Sequence, residues 1–150
     1  MTTYHRILAV VDLASASRRV IARALQLAAG GPQTTLTLLH VVEFVPVEPL
    51  SDSLLPVVHI EADLLQQARQ QLAALASSYG SPAPAWEVCS GNVKSEIVRF
   101  ARDGGFDLIV IGSHERHGLS ILVNLTEDTV LHAAPCDVLA VRLDNGDNAP

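Results

Sequence analysis

Short, nearly unbroken apolar runs alternate along this chain with longer stretches whose apolar residues recur every three or four positions. The first regime suits a strand buried on both faces of a sheet, the second a helix with one buried stripe. Arg6 to Asp12 (RILAVVD) is the first apolar run, and it closes on an acid. Ser15 or Ser17 can cap the helix that follows, whose apolar face is Val20, Ala24, Leu27 and Ala28 and whose stop is Gly30-Gly31-Pro32. Thr35 to Val42 (TLTLLHVV) predicts a second strand. Glu43 to Val58 carries Pro46, Pro49 and Pro56 without a clear period and reads as a long loop. From His59 to Tyr79 a single helical stripe runs through Ile60, Leu64, Ala68, Leu72, Leu75 and Tyr79, ended by Gly80-Ser81-Pro82.

The alternation continues. Ala85 to Ser90 predicts a third strand, Gly91-Asn92 a turn with Asn92 as N-cap, and Val93, Ile97, Phe100 and Ala101 the next helical face. Asp107 to Ser113 (DLIVIGS) predicts a fourth strand. Leu119, Leu122, Val123, Thr126, Val130 and Ala133 form a fourth helical face closed by Pro135, and Asp137 to Leu143 (DVLAVRL) predicts a fifth strand. Residues 1–143 read as one domain and 144–150 as a flexible C-terminal tail. Strict βαβαβαβαβ order implies an α/β fold: a five-stranded, parallel, doubly wound sheet with helices on both faces. The common strand order 3-2-1-4-5 reverses between strands 1 and 4, and ligands of such sheets bind in the crevice at the reversal. Asp12, at the end of strand 1, and Gly112-Ser113-His114, at the end of strand 4, are expected to meet there.

Composition narrows the function classes. The 150 residues fit one domain with a sizeable core. Sixteen acidic against ten basic residues give a net charge of −6, which argues against nucleic-acid binding. Lys94 is the only lysine and no glycine loop precedes it, so a P-loop is excluded. No apolar run approaches the roughly 18 residues of a membrane span. Met1 to Arg6 lacks the profile of a signal peptide, which leaves a cytoplasmic location as the expectation. Cys89 and Cys136 are widely spaced and read as buried small hydrophobes.

The loop Gly112-Ser113-His114-Glu115-Arg116-His117-Gly118-Leu119 joins strand 4 to a helix N-terminus, where unpaired N–H groups and the helix dipole favour anions. It is either a phosphate loop or an ordinary turn with a solvated charge cluster. Asp12 can accept from a ribose hydroxyl or hold a metal; it can equally cap the first helix. His114 and His117 have no further ligand placed to complete a metal site. His40, inside strand 2, reads as a buried, hydrogen-bonded residue. The chain has no Gly-x-Ser-x-Gly elbow, no glycine-rich dinucleotide fingerprint after strand 1 and no paired acid and base, so no catalytic residues are assigned.

Ile7-Leu-Ala-Val-Val-Asp12, Leu39-His-Val-Val42, Gly91 and Asp107-Leu-Ile-Val-Ile-Gly-Ser-His114 resemble the universal stress protein family, as does Gly118-Leu119 through Val130 to Arg142. The resemblance spans about residues 4–143. It implies a nucleotide-binding-type fold, an unidentified protein client, and a homodimer formed through the last strand, Val138 to Leu143. It implies ATP or AMP as ligand, with candidate contacts at Val10, Asp12, Val41, Gly112, Ser113, His114, Gly118 and Thr126. In family members that bind ATP, an acid ending strand 1 holds the ribose, which matches Asp12, and the end of strand 2 faces adenine, which matches Val41. Phosphates there sit on Gly-x-x-Gly followed, eight or nine residues on, by Gly-Ser or Gly-Thr. Gly112 matches the first glycine, but Glu115 stands at the second and Asn124-Leu125 at the last pair, with Thr126 beside them. A carboxylate near the phosphates is unfavourable, and Leu125 offers no hydroxyl. The adenosine half is intact and the phosphate half altered, which favours adenosine or AMP over ATP. The expectation is a non-catalytic regulatory dimer with a vestigial or selective crevice. The alternative is an ATP-binding switch with slow or no hydrolysis.

Overall fold

Five strands pair in one all-parallel sheet of order β3-β2-β1-β4-β5. They are β1 (Arg6–Val10), β2 (Thr35–Val42), β3 (Ala85–Ser90), β4 (Leu108–Ser113) and β5 (Asp137–Arg142). Helices α1 (Ser17–Ala28), α2 (Leu55–Ser77), α3 (Val93–Asp103) and α4 (Thr126–Ala133) connect them in turn. The computed structural model describes residues 4–43, 55–113 and 126–143. The expected strand order and fold class are both observed.

Position in the sheet sets composition. Ile7, Leu8 and Ala9 of β1 are all fully buried, as are Ile109 and Val110 of β4. Central parallel strands meet helices on both faces, so no polar alternation survives. Ile7 and Ala9 pack with Val20, Ile21 and Ala24 of α1 and Ala68, Leu72 and Ala76 of α2. Leu8, one residue out of phase, packs on the other face with Ile97 and Ala101 of α3 and Val130 of α4. The two edge strands, β3 and β5, are largely half-exposed instead.

Several element ends differ from the sequence-based reading. β1 stops at Val10, so Asp12 lies beyond the strand. The residue preceding α1 is Ala16, with no side-chain cap; neither Ser15 nor Asp12 occupies that place. The fully buried residues of α1 are Ser17, Val20, Ile21 and Ala24, and the expected Leu27 and Ala28 continue the same face, half-buried against the core. Helix α2 begins at Leu55, ahead of the expected His59, so Pro56 sits in its first turn, where a missing N–H costs nothing. Ile60 and Leu64 in the expected α2 stripe are 53% and 39% exposed; the buried residues are Ala68, Leu72 and Ala76. Asn92 does cap α3, accepting from the Ser95 N–H at 3.0 Å. The tail 144–150 and loop residues 44–54 lie outside the described residues.

Candidate functional site

The site is built from the carboxyl tip of β1. The last backbone bond from β1 to β2 runs from the Val11 N–H to the Leu39 carbonyl, at 2.9 Å. His40, half-buried in β2, places its Nδ1 2.7 Å from the Val11 carbonyl oxygen. A carbonyl only accepts, so that nitrogen carries a proton and donates. Val11 is thereby held by both its N–H and its C=O. The chain then leaves the sheet through Asp12 and through Leu13, whose φ of +68° is left-handed. Such a conformation costs a branched side chain about 1–2 kcal/mol, so the turn needs support. Asp12 and Ser17 supply it. The Asp12 N–H donates to Ser17 Oγ at 2.9 Å, and Ser17 Oγ donates back to Asp12 Oδ1 at 2.6 Å. The Ala14 N–H donates to the same Oδ1 at 2.9 Å. Asp12 itself is exposed on the rim.

The tip of β4 lies beside this turn, because β4 is the hydrogen-bonded neighbour of β1 and runs parallel to it. Gly112 and Ser113 therefore share the rim with Asp12. Val10 is half-buried against the α3 side of the sheet, in the cluster that also contains buried Val41. So Val10, Asp12, Val41, Gly112 and Ser113 are gathered at the carboxyl ends of three adjacent strands. His114 and Gly118 lie outside the described residues, and Thr126 is described only as the first residue of α4. Gly112 has a packing reason to lack a side chain. A Cβ there would lie 2.5 Å from Leu143 Cδ1 and 3.4 Å from Val20 Cγ2.

The sequence profile of the universal stress protein family matches residues 3–142. The chain belongs to the universal stress protein family. It is 37% identical over 139 residues to universal stress protein A homolog 1 of Coxiella burnetii, spanning 92% of this chain and 96% of that one. Among solved structures, universal stress protein UspA from Lactobacillus plantarum is 27% identical, with a TM-score of 0.72 over 95% of this chain and 100% of that one. A universal stress protein solved in complex with cAMP shares the fold at 20% identity, with a TM-score of 0.66 over 95% of this chain and all of the other. These relatives place the chain among stress-response proteins.

For this universal stress protein the described residues contain no group of three or more His, Cys, Asp or Glu able to hold a metal. No helix among them is long and apolar enough to cross a membrane. Cys89 and Cys136 are free and half-buried rather than fully buried. Burial pushes both thiols above their ordinary range; Glu96 adds to the effect at Cys89 and Asp137 at Cys136. Neither has the lowered pKa of a nucleophile. At the opposite rim, where β4 and β5 begin, a depression of about 510 Å³ is lined by Tyr4, Leu108, Cys136 and Asp137. The Tyr4 hydroxyl there donates to Asp137 at 2.9 Å. Ser17 and His40, the supports of Asp12 and its turn, lie outside the set of candidate contacts that the sequence predicts. Their signals were present: an Asp-x-x-x-x-Ser spacing across a strand–helix turn, and a histidine inside an otherwise apolar strand.

Proposed function

We propose that this family member is a non-catalytic regulator of the stress response. It acts in the cytoplasm as a homodimer and takes an adenine nucleoside or nucleotide at the crevice between β1 and β4, with adenosine and AMP preferred over ATP. One observation carries this reading: the Asp12 carboxylate stands at the rim beside the tip of β4, at the reversal of strand order, oriented by its own turn. Ligands of doubly wound sheets bind at that reversal. The relative solved with cAMP supports an adenine nucleotide as the ligand class. The preference for a lightly phosphorylated ligand comes from Glu115 and Leu125, which replace residues of the family's phosphate motif. The absence of a paired acid and base among the candidate residues supports a binding role rather than turnover. Dimerisation is supported by β5, an edge strand that among the described residues pairs only with β4 and carries half-buried Val138, Leu139 and Val141.

Isothermal titration with adenosine, AMP and ATP tests the proposal. Adenosine and AMP are expected to bind more tightly than ATP, and Asp12→Ala is expected to weaken both at least tenfold. Glu115→Gly is expected to raise ATP affinity selectively. ATP binding tighter than AMP binding would favour the ATP-binding switch, and no binding of any of the three would remove the nucleotide reading.

A further inference from the structure

Ser17 is the only buried polar side chain among the described residues, at 3% exposed. It lies in the first turn of α1, on the face that packs against the sheet. A hydroxyl in such a place is unfavourable unless both its donor and its acceptor capacity are used. Here both are used by one residue: Ser17 Oγ accepts from the Asp12 N–H and donates to Asp12 Oδ1. The 2.6 Å length of the second bond is that of a hydroxyl donating to a carboxylate. Oδ1 receives a second donor from the Ala14 N–H. The main chain of the same turn is pinned by Leu13 in the left-handed region and by His40 on the Val11 carbonyl. The carboxylate is oriented through Oδ1 before any ligand arrives.

We propose that Ser17 is a positioning residue for the Asp12 carboxylate and thereby sets how strongly the crevice discriminates in favour of a ribose with its hydroxyls intact. This rests on the reading of Asp12 as the ribose-binding group. Ser17 touches no ligand in this scheme. It removes the rotational freedom that Asp12 would otherwise lose on binding, which is the general advantage of preorganisation, and it does so from the helix side, inside the core.

Two measurements on Ser17→Ala decide the matter separately. In the ligand-free protein, amide exchange followed by NMR reads the turn itself. The Ala14 amide is expected to exchange at least tenfold faster in Ser17→Ala than in wild type, and to stay protected in Asp12→Asn, which keeps an Oδ1 acceptor. An unchanged Ala14 rate in Ser17→Ala overturns the proposal whether or not the protein binds nucleosides. In the second measurement, adenosine and 3′-deoxyadenosine are titrated into both proteins. Ser17→Ala is expected to weaken adenosine about tenfold while leaving 3′-deoxyadenosine nearly unchanged, so that the ratio of the two affinities collapses toward one. Equal weakening of both ligands would mark a merely structural role and overturns the proposal. A wild type that binds adenosine and keeps its affinity in Asp12→Ala overturns the ribose reading, leaving the exchange result to decide the role of Ser17 in the turn. Ser17→Cys, of similar size but a weak donor, carries the same expectations and replaces the alanine variant if that does not fold.

Discussion

Without the His40 ring, the Val11 carbonyl would lose the 2.7 Å partner it has at the tip of β1. The neighbouring backbone bond, from the Val11 N–H to Leu39, would remain. His40→Leu keeps the volume and removes the donor, so it should destabilise the fold by about 1–3 kcal/mol, the usual penalty for an acceptor on a buried residue such as Val11 left unpaired. His40→Asn, whose amide nitrogen sits close to the place of Nδ1, should recover most of that loss; urea unfolding of the three proteins measures it. Chemistry at the thiols should be sluggish. Burial raises both Cys89 and Cys136, so at any given pH the thiolate fraction is lower than in a free thiol. Alkylation by iodoacetamide at pH 8 should therefore run slower than for glutathione and accelerate only above the ordinary thiol range. Rates equal to those of glutathione would contradict that placement.

Elements were legible where burial on both faces or a stop signal left no choice. The RILAVVD and DLIVIGS runs announce β1 and β4 because a central parallel strand has nowhere to put a polar side chain. Asn92 announces the start of α3 because its side chain satisfies an otherwise orphaned N–H. The start of α2 was not legible, since Pro56 reads as a loop residue unless its place in the first helical turn is already known. The start of α1 was obscured differently. Ser17 looks like a cap, but its hydroxyl is turned back to Asp12 and Ala16 takes the cap position without a side-chain bond. Gly112 illustrates a residue whose type was legible and whose reason was not. A glycine on a strand–helix loop suggests close ligand approach, yet its missing Cβ makes room for Leu143, whose N–H is bonded to the Ser113 carbonyl. Gly112→Ala should therefore cost about 1–3 kcal/mol through overpacking. Much of that cost should vanish in a Leu143→Ala background, a coupling that a double-mutant cycle on thermal unfolding would read directly. Strictly additive effects would mean that Leu143 is not what the new methyl group meets.

At the scale of the molecule, strict alternation of strand and helix was enough to give the layered fold, and the position of the strand-order reversal was enough to place Asp12 beside the tip of β4. Among the described residues the same topology leaves β5 at one edge with β4 as its only partner in the sheet, and the proposed homodimer covers that edge with a second copy. The alternation of a strand's N–H groups allows a test that spares the fold. The Leu143 N–H points toward β4, where it bonds Ser113. By the period of two, the Leu139 and Val141 N–H groups point the same way and that of Ala140 points outward. Ala140 is also exposed. A proline at that position removes a donor only from the outward side, the one side on which edge strands tolerate it. Ala140→Pro should keep the monomer's stability within about 1 kcal/mol while shifting the mass measured by analytical ultracentrifugation from twice that of the chain to that of one chain. Lys substituted at the exposed Leu131 of α4 serves as the matched surface control and should leave the mass unchanged. A folded Ala140→Pro protein that still sediments as a dimer would move the interface away from β5.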